Sequence, residues 1–110
     1  MNDMDFIRQV SRVDILLSQS RFSQAEELLE GLMSEGFNDI DILKMMSIAK
    51  MGLHKYEDVS QLCTMIIDQN PNESFAFYLL SNVKSVNRAF QEAKDLIDKA
   101  IIIEPTNADY

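Results

Sequence analysis

The stretch Asn87-Arg88-Ala89-Phe90-Gln91-Glu92-Ala93-Lys94-Asp95-Leu96-Ile97-Asp98-Lys99-Ala100-Ile101-Ile102-Ile103-Glu104-Pro105 decides how this chain is read. Its apolar residues Phe90, Ala93, Ile97, Ala100 and Ile101 recur at steps of three and four, which places them on one face of an α-helix. Glu92, Lys94, Asp95, Asp98 and Lys99 take the opposite, wet face. Pro105 ends the helix, because proline has no amide hydrogen and its ring clashes with the preceding turn. The pattern recurs upstream at a constant stride, with Pro71 and Pro105 standing 34 residues apart. Phe90 maps back to Tyr56 and Phe22, Ala93 to Val59 and Ala25, Ile97 to Cys63 and Leu29, and Ala100 to Ile66 and Leu32. Four columns held over three copies without an insertion are an internal repeat, and that repeat sets the architecture.

Outward from this stretch, apolar spacing predicts earlier helices over residues 5–18, 23–35, 40–52, 57–69 and 73–86. The first carries a stripe of Phe6, Val10, Val13 and Leu17, widened by Ile7 and Leu16. Asp3 or Asp5 is placed to cap it, and Ser23 with Glu26 makes a capping box for the second helix. Gly36 and Gly52 are read as the glycines that stop the second and third helices. Asn38 or Asp39 caps the third helix and Asn72 the fifth. Thr106 and Asn107 occupy the columns of Asn72 and Glu73, as the start of a seventh helix would. Strand alternation is absent throughout. The expected fold class is all-α, six helices in three antiparallel pairs that nest to form one continuous core.

Composition excludes several functions. The chain has 110 residues and a net charge of −8, from 10 basic and 18 acidic side chains, so it lacks the basic stripe of a nucleic-acid interface. An anionic membrane face is disfavoured for the same reason. No run approaches the roughly 20 apolar residues of a membrane helix, and the acidic start lacks the order of a signal peptide. A cytoplasmic location is therefore expected. Cys63 is the only cysteine, sits in the column of Leu29 and Ile97, and is read as a small core residue.

A helix–turn–helix unit of 34 residues closed by proline resembles the tetratricopeptide repeat (TPR). The middle copy matches at Leu43, Met46, Ser47, Tyr56, Val59, Cys63, Ile66 and Pro71. The third matches at Phe77, Leu80, Ser81, Phe90, Ala93, Ile97, Ala100 and Pro105. The first matches only in its second half, since Gln9 and Arg12 stand where large apolar residues are usual and Phe37 replaces the closing proline. Leu16, Lys50 and Lys84 occupy the column where the family carries an aromatic residue. The resemblance covers residues 5–105, with repeats at about 6–39, 40–73 and 74–107 of a single domain.

The resemblance implies an α-solenoid, a right-handed superhelix of three TPR-like repeats. Its concave groove is lined by the first helix of each pair and holds a peptide or helix of a partner protein. The groove residues it implies are Asp14, with Ile7, Val10 and Leu17 beside it, then Asp41, Lys44, Ile48 and Met51, with Met45. From the fifth helix come Phe75, Tyr78 and Asn82, with Leu79 and Ser85. One TPR subgroup grips the C-terminal carboxylates of heat-shock chaperones with Lys, Asn and Arg; those columns here read Val10, Asp14, Met45, Phe75 and Leu79, so that clamp is absent.

No catalytic constellation, glycine-rich phosphate loop or metal-ligand spacing occurs in the sequence, and His54 stands alone in a turn. The expectation is a protein–protein interaction scaffold that is not an enzyme and needs no cofactor and no metal. Two other readings stay open: a regulatory or substrate-presenting arm of a larger enzyme such as a transferase, and a small acidic chaperone of the secretion type. Ile101, Ile102 and Ile103 are consecutive where the earlier copies read Met33-Ser34-Glu35 and Ile67-Asp68-Gln69. A solenoid normally ends on a polar capping helix. The chain is therefore expected to be the N-terminal part of a longer repeat protein, or to pair with a second copy through this face.

Overall fold

The computed structural model describes residues 2–106, so Asn107, expected at a further helix start, lies outside the described residues. Six helices follow one another: α1 (Asp3–Ser18), α2 (Phe22–Ser34), α3 (Ile40–Gly52), α4 (Tyr56–Gln69), α5 (Ser74–Val86) and α6 (Phe90–Ile103). Among the described residues there is no strand. The chain divides into two compact units, Met1–Lys55 and Tyr56–Tyr110. In the first, α2 packs on α1 and α3, and α1 also touches α3; in the second, α5 packs on α4 and α6.

The columns identified by their stride form the cores. Ala25, Val59 and Ala93 are buried, as are Leu29 and Cys63, and Leu32, Ile66 and Ala100. Ile97 is half-buried. The first-helix column Val13, Ser47 and Ser81 is buried too. Each serine hydroxyl there donates to a carbonyl of its own helix, Ser47 to Leu43 at 2.8 Å and Ser81 to Tyr78 at 2.5 Å. Such internal satisfaction lets a hydroxyl sit in an apolar contact without a desolvation penalty. Among the described residues no buried side-chain nitrogen or oxygen lacks a partner.

The three turns inside the hairpins are copies of one another. Ser20, His54 and Arg88 carry φ of 58°, 60° and 61°, in the left-handed region. The next amide closes each turn: Arg21 donates to the Leu16 carbonyl at 2.8 Å, Lys55 to Lys50 at 2.9 Å and Ala89 to Lys84 at 2.9 Å. These six-to-one bonds satisfy carbonyls that the helix end leaves open.

Gly52 was expected to stop α3, but it is the last helical residue and its φ is not positive; the left-handed residue is His54. The glycine answers a close approach instead. A Cβ at position 52 would lie 2.3–2.4 Å from atoms of the Phe22 ring, which occupies the space where a side chain would stand. Gly36, at φ 95°, is the left-handed stop after α2 as expected.

The caps also differ from expectation. Asn2, not Asp3 or Asp5, caps α1, its side chain accepting from the Asp5 amide at 2.9 Å. The capping box of Ser23 and Glu26 does not form: α2 begins after Arg21 with no side-chain cap, and Glu26 is engaged by lysines. Asp39 and Glu73 hold the cap positions of α3 and α5 without a side-chain cap bond, so Asn72 does not cap α5.

Three apolar assignments change, the first being Ile101, expected on the inner face of α6 and 39% exposed. Phe90, expected on the buried face of α6, is 65% exposed, whereas its equivalents Phe22 and Tyr56 are half-buried. Phe22 has the end of α3 beneath it; no helix follows α6 among the described residues. Leu79, expected on the groove side, is buried, and Leu80 is half-buried.

Candidate functional site

The first unit contains an open cavity of about 410 Å³ between α1 and α3. Asp14 comes from α1; Asp41, Lys44 and Ile48 come from α3, one helical turn apart. The structure brings these four expected groove residues together around one space. Phe6, Val10, Ile42 and Met45 supply an apolar lining, and Asp39, at the α3 cap position, adds a third carboxylate. Phe6 is held by Phe37, with ring centroids 4.6 Å apart and planes tilted by 33°. Met51 is half-buried and lies outside this lining. Ile7, expected beside Asp14, is exposed and does not line it either.

In the second unit, Tyr78 and Asn82 of α5 border a cavity of about 480 Å³ shared with Phe90, Lys94 and Ile97 of α6. Phe75 is half-buried and is not part of it. Sequence reasoning placed Asp39 only as a cap and Phe6 only as core, and it did not single out Ile42; Lys94 was read as wet-face charge. The signal for Asp39 was its position two residues before Asp41, on the turn that feeds the same helix.

In the same unit a charge cluster ties α2 to α3. Lys50 approaches Glu26 at 2.6 Å and Lys55 donates to the same oxygen at 2.8 Å, with Glu30 at 4.0 Å from Lys50. The side chains of Lys50 and Glu26 are 13% and 14% exposed. Hydrogen bonds from Lys50 and then Lys55 hold the Glu26 carboxyl below the usual carboxylate value. Lys50 stands in the column where the repeat that the sequence resembles carries an aromatic residue, and a half-buried ion pair occupies that place. Its equivalent Lys84 pairs with Glu92 at 3.0 Å in a far more exposed setting. Cys63 is buried, and burial pushes its thiol up to about 12, a value at which it is unreactive.

Among the described residues no group of three or more His, Cys, Asp or Glu is placed to hold a metal ion. No described helix is long and apolar enough to cross a membrane.

Six helices among the described residues, in helix–turn–helix order with one stride, one turn geometry and one set of buried columns, define an α-hairpin repeat fold. The fold is of the tetratricopeptide type, as three solved structures show. The first TPR of Spaghetti (RPAP3), bound to HSP90 peptide SRMEEVD, matches with a TM-score of 0.83 and 14% identity, over 99% of this chain and 86% of that one. The second TPR of the same protein, also bound to that peptide, matches at 0.79 and 19% identity, over 90% and 86% of the two chains. The MamA RS-1 ArsTM double mutant matches at 0.78 and 16% identity, over 96% of this chain and 59% of its own. No family model and no curated protein sequence matches this chain.

Proposed function

We propose that this chain is a protein–protein interaction module that binds a peptide or helix of a partner protein. Its contact residues are Asp14, Asp41, Lys44, Ile48 and Met51 in the first unit and Phe75, Tyr78 and Asn82 in the second. The observation that carries the reading is the open α1–α3 cavity, with an apolar lining and charged rim, in a fold whose similar structures include two that hold a peptide. An adaptor of this kind is non-catalytic and works in the cytoplasm, its three repeats acting as one domain within a longer array. The test is a peptide array probed with the chain and with Ile48→Asp and Tyr78→Ala. Spots lost in either variant, with far-UV circular dichroism unchanged, support the reading. An array without bound spots, or spots indifferent to both variants, overturns it.

A second reading concerns self-association. Ile102 is 78% exposed and Ile101 39% exposed, with Ile103 half-buried between them and the chain end. An apolar surface of this kind favours pairing with a second copy through α6. Sedimentation equilibrium is expected to show a dimer that Ile102→Asp dissolves; a monomer at high concentration counts against it.

A further inference from the structure

The α1–α3 cavity is an apolar groove with a one-sided electrostatic rim. Phe6, Val10 and Met45 line it as aromatic ring, aliphatic hydrocarbon and thioether, surfaces that accept a range of apolar side chains. Asp14, Asp39 and Asp41 line it as carboxylates against the single ammonium of Lys44. The whole chain, at −8, adds a field of the same sign. An anionic segment entering this groove meets like charge, and like charges brought together at a contact oppose binding. The heptapeptide SRMEEVD held by the two RPAP3 domains is such a segment, with two glutamates and an aspartate against one arginine.

From this complementarity we infer that the α1–α3 groove takes a cationic amphipathic segment of a partner protein, with apolar side chains in the cavity and Lys or Arg against Asp14, Asp39 and Asp41. The inference rests on the peptide-binding reading above and adds the charge and polarity of the partner. Lys and Arg suit such a rim because their stems lie along apolar surface while their heads reach the carboxylates. Selectivity arises from both halves: an uncharged apolar peptide leaves the rim unused, and a polar basic peptide leaves the cavity empty.

Fluorescence anisotropy tests this with two labelled helical peptides of equal length. Each has Leu at every third or fourth position; one has Lys and the other Glu at the remaining positions. The full chain at physiological salt is expected to bind the Lys peptide at least tenfold more tightly. The variant Asp14→Asn/Asp39→Asn/Asp41→Asn is expected to lose about tenfold. A control that removes three carboxylates elsewhere, Glu35→Gln/Glu57→Gln/Asp68→Asn, reaches the same net charge and is expected to lose less than threefold. Ile48→Asp, at the apolar edge, is expected to weaken the Lys peptide despite its added negative charge. Equal or tighter binding of the Glu peptide overturns the inference, as does a control that loses as much as the groove variant. If neither peptide binds while the array shows bound spots, the partner chemistry is wrong and the broader reading stands.

Discussion

Replacing Gly52 by alanine is a sharp test of the packing, because local propensity and tertiary contact give opposite signs. In a helix, alanine is favoured over glycine by about 0.5–1 kcal/mol. A reading from helix propensity alone therefore has Gly52→Ala stabilising. The structure places the new methyl 2.3–2.4 Å from three atoms of the Phe22 ring, including the ring carbon nearest the backbone. That carbon cannot swing away without moving the side chain as a whole, so Phe22 leaves its seat on α3. Overpacking of this kind costs about 1–3 kcal/mol. Set against the propensity gain, the net is a loss of up to about 2.5 kcal/mol, centred on about 1 kcal/mol. Urea unfolding followed by far-UV circular dichroism measures it, with an unchanged slope showing that the unfolding reaction is the same. The same change in a Phe22→Ala background removes the clash and is expected to stabilise by about 0.5–1 kcal/mol. The two sites then couple by about 2 kcal/mol in a double-mutant cycle. Gly52→Ala as stable as the parent in the Phe22 background, or equal shifts in both backgrounds, refutes the contact.

Three further outcomes follow from other parts of the chain. Glu26→Gln leaves Lys50 largely buried without its carboxylate and is expected to destabilise by about 1–3 kcal/mol at neutral pH. Because the folded carboxyl is held below its ordinary 4.5, its contribution is present above that pH and is lost as pH falls through the folded value, so parent and variant are expected to converge in acid unfolding curves. Cys63 is expected to resist a thiol reagent in the folded chain and to react at once in urea; rapid labelling at pH 8 without denaturant counts against its burial. Arg88→Gly relieves a left-handed residue that carries a side chain and is expected to raise the urea midpoint by the equivalent of about 0.5 kcal/mol, after glycine's extra chain entropy is subtracted.

Much of the fold was legible because the decisive signal was one of position. Ala25, Val59 and Ala93 hold the same place in three helices, and small or apolar residues recurring at a fixed stride mark the inner face, where these three are buried. Gly52 was misread because a glycine near a helix end looks alike in sequence whether it serves a left-handed turn or a close contact. The contact depends on Phe22, which stands 30 residues earlier. Ser23 followed by Glu26 met the capping rule, yet the tight turn feeds α2 directly: the Ala25 amide donates to the Arg21 carbonyl at 3.1 Å, and Glu26 faces Lys50 and Lys55. Leu79 and Leu80 were exchanged because α5 is apolar on more than one side, so a 100° step between neighbours does not decide which points inward. Asp14, Asp41, Lys44 and Ile48 were expected together only through the resemblance to a repeat whose first helices line a groove, and one cavity does border all four. Asp39 depends on how a loop enters the helix, which apolar spacing does not encode.

The hairpin turns at Ser20, His54 and Arg88 are alike in φ and in main-chain bonding, yet share no residue type. A reversal written in amide-to-carbonyl closure does not need a particular side chain to make it. The alphabet at those places is free to drift while the stride stays fixed. The fold of such a chain is therefore carried by metre more than by wording, and this one shares its backbone path with domains only 14–19% identical to it.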